Sequence, residues 1–373
     1  MGRPAAATLS PGKKIAFTIV YVILLAGLVE AVFAIREPLR ERRRPRLPVM
    51  SDPYRGSVLK PGGRADYGDR LMEINGIGLR GGEVGPKRSG TTRILTVGGS
   101  TTFGLYASDN QHTWPAVLES SLRERGFDVE VLNAGTPGWT LRTSVTHLEL
   151  LGFGLEPDVV ISLHAYNDLG LNHLEQYRAD SLVDDVEALR REQPREWWEW
   201  SAALRFAHSR LRKPYSEPSE KVDRFEPEGR VAFERNLRRL VRRSREHGAR
   251  VLLSTFPTAF RPTFEESLAA GVPEVELWYR AMSPLAYPHL MTGLREYNEA
   301  IRSVGAELGV AVVDTARLYP SGHEYYATPI HHTDLGEVQV ARIIEEALLA
   351  HGLVAGERPP PARIPDPRSD PGP

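Results

Sequence analysis

The stretch TVGGSTTFG, Thr96–Gly104, directly follows an apolar pair, Ile94-Leu95, entered from Arg93. An apolar run that breaks at two glycines reads as a buried strand ending in a tight turn. The hydroxyl cluster at that turn has two readings. Its side chains cap a helix that begins there, or Ser100 is a nucleophile held at the end of a strand.

Working outward, four more short runs rich in Val, Ile and Leu read as buried parallel strands: Val129–Asn133, Val159–His164, Arg250–Thr255 and Val310–Asp314, with Arg93–Val97 the first of the five. Helical periodicity lies between them, in Trp114–Arg125, Phe233–His247, Leu294–Leu308 and Gly336–Ala350. Glycine stands just beyond each, at Gly126, Gly248, Gly309 and Gly352, as a helix stop. Strand and helix alternating five times predict an α/β fold of three layers, α/β/α, around a five-stranded parallel sheet of flavodoxin-like type.

Composition bounds the alternatives. The chain has 373 residues, with 47 Lys plus Arg against 48 Asp plus Glu, so no excess of positive charge points to nucleic acid. It has no cysteine, which excludes disulfides and thiol nucleophiles. Near the N-terminus, residues 15–35 form an apolar run carrying one charge, Glu30, long enough to cross a bilayer and longer than the apolar core of a cleaved leader. The expected organisation is a flank over 1–14, a transmembrane anchor over 15–35 and a Pro/Arg-rich linker over 36–61. A folded α/β domain over 62–353 follows, with insertions at about 170–229 and 257–291, and then a Pro-rich tail over 354–373. Within that region, Glu73–Gly81 (EINGIGLRG) reads as a short strand and turn. Trp197, Trp198 and Trp200 read as helix packing on the domain or the membrane surface. The six arginines between Arg36 and Arg46 outnumber the basic residues before the span, which by charge alone places the large domain inside.

In an open parallel sheet, ligands bind beyond the carboxyl ends of the strands. Four polar segments fall there. Ser100 follows the first strand, and Gly135–Gly138 (within NAGTPGWT) follow the second. Asn167 and Asp168 (in HAYNDL) follow the third, and His331 and His332 (in TPIHHTDLG) follow the fifth. A hydroxyl, a glycine N–H, an amide and an imidazole on one edge are the set that acyl transfer needs. Taken singly, each has a plainer role as a cap, a turn or an Asx-turn. His323, Glu324, His331, His332 and Asp334 could also ligate a metal, but no spacing among them matches a known site.

In order and content these four blocks resemble the SGNH/GDSL hydrolase superfamily, and more closely its membrane-anchored bacterial members with GGSTTFG in place of GDSL. The resemblance spans about Pro61 to Leu353. It implies that Ser100 is the nucleophile and that Ser100 N–H, Gly138 N–H and the Asn167 amide hold the oxyanion. His331 is implied as general base, with His332 the adjacent alternative. No cofactor is implied. The chain departs from the family pattern at three points. Thr328 occupies the triad-acid position three residues before His331; its hydroxyl can accept from the ring N–H but supplies no charge, so either activity is low or Asp334, Glu324, Asp314 or a backbone carbonyl orients the ring. Gly99 stands where GDSL has aspartate, and Ala165-Tyr166 stand where glycines are common, which narrows the site toward a small acyl group. The resemblance implies an acyl ester on a carbohydrate of the bacterial envelope as substrate, and an outward-facing domain against the arginine count. A hydrolase, an O-acyltransferase acting on a glycan and a glycan-binding module without chemistry are the three functional classes compatible with the sequence. Oligomeric state is not legible.

Overall fold

The computed structural model describes residues 10–41, 47–171, 201, 203, 204 and 221–354. The chain divides into two units, one of residues 1–46 and 192–216, the other of residues 47–191 and 217–373. In the first unit, helix α1 (Pro11–Glu41) holds an apolar segment, Pro11–Val32, long enough to cross a membrane and with no part buried by protein. The Glu30 carboxylate accepts a hydrogen bond from Ser201 Oγ at 2.6 Å. Trp197, Trp198 and Trp200, most of the insertion at 170–229 and the tail beyond residue 354 lie outside the described residues.

The second unit opens with two antiparallel hairpins. Strand β1 (Val49–Asp52) pairs with β2 (Gly56–Leu59), and β3 (Arg64–Asp66) with β4 (Leu71–Glu73). The first hairpin falls in the stretch read from sequence as linker. The central sheet comprises β5 (Thr92–Gly98), β6 (Val129–Asn133), β7 (Val159–Leu163), β8 (Arg250–Ser254) and β9 (Ala311–Val313). Its order is β6-β5-β7-β8-β9 and every pairing is parallel. All five strands read from sequence are present, with ends shifted by one residue or so. Strand β5 is buried at all seven positions, as a strand covered on both faces must be.

The crossovers are helices, because a right-handed connection between parallel strands needs one. They are α3 (Trp114–Glu124), α4 (Leu141–Leu150), α6 (Pro227–Glu246) and α9 (Tyr287–Leu308), and a further helix, α11 (Asp334–Ala350), follows the last strand. Helices α3 and α11 pack together on one face, while α4, α6 and α9 pack on the other. Short helices α2 (Ser100–Phe103), α5 (Tyr166–Leu171), α7 (Phe264–Ala269), α8 (Val275–Leu277) and α10 (Thr315–Leu318) sit at the strand ends and in the insertion at 257–291. The four stop glycines all have φ between 58° and 85°, the left-handed region that a side chain resists. Strand order reverses between β6 and β7 around β5, so the crevice of this topology opens at the carboxyl end of β5, beside Ser100.

Candidate active site

Ser100 is the first residue of α2, a one-turn helix closed by Gly104 at φ 78°. Two glycines make the turn possible. A Cβ on Gly98 would lie 1.9 Å from Thr102 Oγ1, and one on Gly99 would lie 2.5 Å from Asn167 Nδ2. The chain thus passes from strand to helix in contact with the neighbouring block. As the first helical residue, Ser100 has a backbone N–H with no acceptor inside its helix. The alternative reading of Ser100 as a cap does not describe this arrangement, because its hydroxyl faces another element.

That element is the hairpin of β10 (Tyr326–Thr328) and β11 (His331–His332). Pro329-Ile330 form its turn, so Thr328 and His331 lie directly opposite each other. Pairing across a tight turn is what brings residues three apart side by side. Ser100 Oγ lies 2.7 Å from His331 Nε2, and His331 Nδ1 lies 2.8 Å from Thr328 Oγ1. For Nε2 to accept from the serine, Nδ1 must carry the ring proton and donate it to the threonine. Burial lowers the His331 pKa to about 3, so the ring is neutral near pH 7 and Nε2 is free to take a proton. Thr101 Oγ1 donates to Ile330 O at 2.9 Å, fastening α2 to the same turn.

The neighbouring His332 does not meet Ser100. Its ring packs 4.8 Å from Tyr319, and its two buried nitrogens have no hydrogen-bond partner among the described residues. The carboxylates considered for the ring have other partners. Asp314 accepts from Arg302 at 2.8 Å and Thr255 at 2.9 Å, and Asp334 accepts from the Ser108 N–H at 2.9 Å. Glu324 lies half exposed, 3.8 Å from His323. Thr328, itself fully buried, is the group on Nδ1.

Asn167 is the second residue of α5, and its Nδ2 donates to Trp139 O at 2.9 Å, leaving a second amide hydrogen. Gly138 is exposed, with φ 81°, on the same loop as Trp139. Asp168, next to Asn167, accepts the Leu141 N–H with both oxygens, at 3.0 and 3.1 Å. It thereby ties α5 to the start of α4. Burial pushes its pKa up to about 8, against the opposing pull of that backbone bond.

The model of the GDSL-like lipase/acylhydrolase family matches residues 96–337 of the 373. The chain belongs to that family. It is an ester-hydrolase family, and the matched residues begin in β5 and end in α11. As a GDSL-like acylhydrolase, this chain is distant from its solved relatives. It shares 16% identity with the lipase/acylhydrolase of Enterococcus faecalis, covering 72% of this chain and 100% of that one, with a TM-score of 0.43. A GDSL-like lipase from Bacteroides thetaiotaomicron shares 12%, covering 72% and 93%, at 0.42. The acetyl xylan esterase AlAXEase shares 13%, covering 69% and 99%, also at 0.42. No curated protein matches in sequence.

Several residues around this candidate site were not legible beforehand. Tyr106 and Trp278 flank the His331 ring, with centroids 5.1 and 5.0 Å away. Arg80, in the upstream LRG, donates to Phe103 O at 3.0 Å and Gly104 O at 2.5 Å. That places a cation on the carbonyl end of the helix carrying Ser100. Its signal in sequence was an arginine inside a glycine-rich motif, which marks a buried role without saying what it holds.

Proposed function

We propose that this acylhydrolase is a membrane-anchored serine esterase of the GGST subgroup that removes acyl groups from a carbohydrate. The observation that carries the reading is the line Ser100 Oγ–His331 Nε2 at 2.7 Å and His331 Nδ1–Thr328 Oγ1 at 2.8 Å. His331 takes the serine proton as Oγ attacks the ester carbonyl. The resulting oxyanion is held by the N–H groups of Ser100 and Gly138 and by the Asn167 amide. His331 then returns the proton to the leaving alcohol, and water repeats the sequence to free the acyl group. Thr328 fixes the ring without charge, so the imidazolium forms less readily than beside a carboxylate. The apolar Pro11–Val32 segment supports an anchor, and resemblance to anchored relatives supports a domain facing the envelope. A fusion reporter active only in the cytoplasm would refute that orientation.

The test is labelling of the full chain in detergent with a fluorophosphonate probe. Wild type is expected to label, and Ser100→Ala and His331→Ala are expected to lose it. Wild type that fails to label would count against an activated serine and favour glycan binding without chemistry. Asn167→Ala is expected to label yet turn over acetyl esters about 10²–10³-fold more slowly, the usual loss for one oxyanion donor. A loss below about threefold would remove Asn167 from the oxyanion hole.

A further inference from the structure

His331 must hand its proton to the leaving oxygen, so the alcohol half of the ester lies within reach of Nε2 and against whatever flanks the imidazole. Two aromatic rings do. Tyr106 lies on one side at 5.1 Å, tilted by 34°, and Trp278 on the other at 5.0 Å, edge-on at 68°. Both are half-buried, so each is part of a wall and still reaches solvent.

Each ring is backed by a charged group. The Arg70 guanidinium sits 4.8 Å over Tyr106. The Glu274 carboxylate accepts from Trp278 Nε1 at 3.2 Å, and its main-chain carbonyl accepts the Trp278 N–H at 2.8 Å. Glu274 holds a left-handed backbone (φ 60°), a conformation that costs a non-glycine residue energy and recurs at functional sites. Glu274 also borders a groove of about 630 Å³ in the insertion, whose other walls are the apolar Leu268, Val272, Val275 and Leu277 with Glu276 and Arg280.

We infer that Tyr106 and Trp278 form the subsite for the leaving alcohol, and that this alcohol is a sugar ring whose neighbouring units follow the groove. A pyranose presents an apolar C–H face and a rim of hydroxyls. Flat aromatic walls match the face, and the carboxylates and guanidinium match the rim. A simple alkyl alcohol would use the walls and offer no hydroxyls to the charged groups behind them. The inference rests on the esterase reading above, and names for it the residues that select the alcohol.

The experiment uses the full chain in detergent and two esters with the same acyl group, an acetylated methyl glucoside and ethyl acetate. The readout is the ratio of their kcat/KM values. Trp278→Ala is expected to lower that ratio about tenfold, in line with the stacking energy of one ring, while Trp278→Phe keeps most of it. Equal losses on both esters would mean that Trp278 only packs His331, and would overturn the inference. Binding separates the two readings. In Ser100→Ala, which cannot turn over, the intact glucoside ester is expected to bind, and adding Trp278→Ala to weaken Kd about tenfold. An unchanged Kd sinks the subsite. Binding that depends on Trp278 in a protein whose wild type hydrolyses neither ester sinks the esterase reading and leaves the subsite standing.

Discussion

At the residue scale the decisive position is Thr328. A triad acid fixes the imidazole tautomer and stabilises the imidazolium. Threonine does only the first. Thr328→Val removes the acceptor and leaves the Nδ1–H buried and unpaired, a loss of about 1–3 kcal/mol, or about 5–150-fold in kcat. A kcat within about twofold of wild type would show that some other group orients the ring. Thr328→Asp works in the opposite direction. A carboxylate beside Nδ1 favours the charged ring, so the His331 pKa rises from about 3 toward the ordinary range. In wild type the base is neutral throughout the mildly acid range, and kcat/KM is expected to show no acid limb near pH 6.5. The Asp variant is expected to acquire one, read from a pH–rate profile. The strand order put Ser100 and His331 on one edge of the sheet, and the resemblance of the four blocks to the GDSL pattern paired them. It placed Thr328 at the position that faces the ring, but a hydroxyl with no charge left open whether the threonine or a carboxylate nearby orients the imidazole. Trp278 was equally silent: it comes from an insertion, where no strand end fixes its position.

At the scale of elements, the strands were legible because both faces of the sheet are covered, so each reads as an unbroken apolar run. Helix α4 was not. Its sequence, LRTSVTHLEL, is rich in β-branched and polar residues, and it is held by its ends rather than by its pattern. Thr140 caps it by accepting from the Thr143 N–H, and the buried Asp168 accepts from Leu141. Hairpin β1–β2 was also missed, because its Pro- and Arg-rich surroundings look like linker. Yet Ser57 O accepts the Trp139 indole N–H at 2.6 Å, and Arg55 lies 3.0 Å from His147 Nδ1 in α4. Trp139 carries the carbonyl that holds Asn167, so the hairpin braces the loop bearing Gly138. A soluble chain begun at Leu47 is therefore expected to keep activity, and one begun at Gly62 to lose it. The second leaves the buried Trp139 N–H without its acceptor, at about 1–3 kcal/mol, and lowers Tm. Equal Tm and kcat in the two chains would show that the hairpin braces nothing.

At the scale of the whole molecule, burial of ionisable groups sets the pH at which the fold is most stable. His147, His164, His331 and His332 all have pKa values lowered to about 3 by burial. Such groups favour the fold above their unfolded pKa of 6.5, and that contribution is lost as pH falls toward 3. Asp168 and Glu337 are shifted the other way, up to about 8, again by burial. Their contribution is full below their unfolded values of 3.8 and 4.5 and is lost as pH rises through about 8. Between 6.5 and 8 the two carboxylates lower stability as pH rises, and the exposed His112, raised by its hydrogen bond to Asp109, acts in the same direction. Below 6.5 the four histidines outweigh them, each proton difference being worth about 1.4 kcal/mol per pH unit. Tm is thus expected to peak near pH 6.5 and to fall on both sides. The double variant Asp168→Asn, Glu337→Gln keeps an acceptor oxygen for the Leu141 and Trp114 N–H groups but cannot ionise. Its Tm is expected to stay level up to about pH 8.5, where wild type declines. An equally steep alkaline decline in both proteins would mean that these carboxylates are already ionised in the fold at pH 7, each stabilised by the backbone bond it accepts.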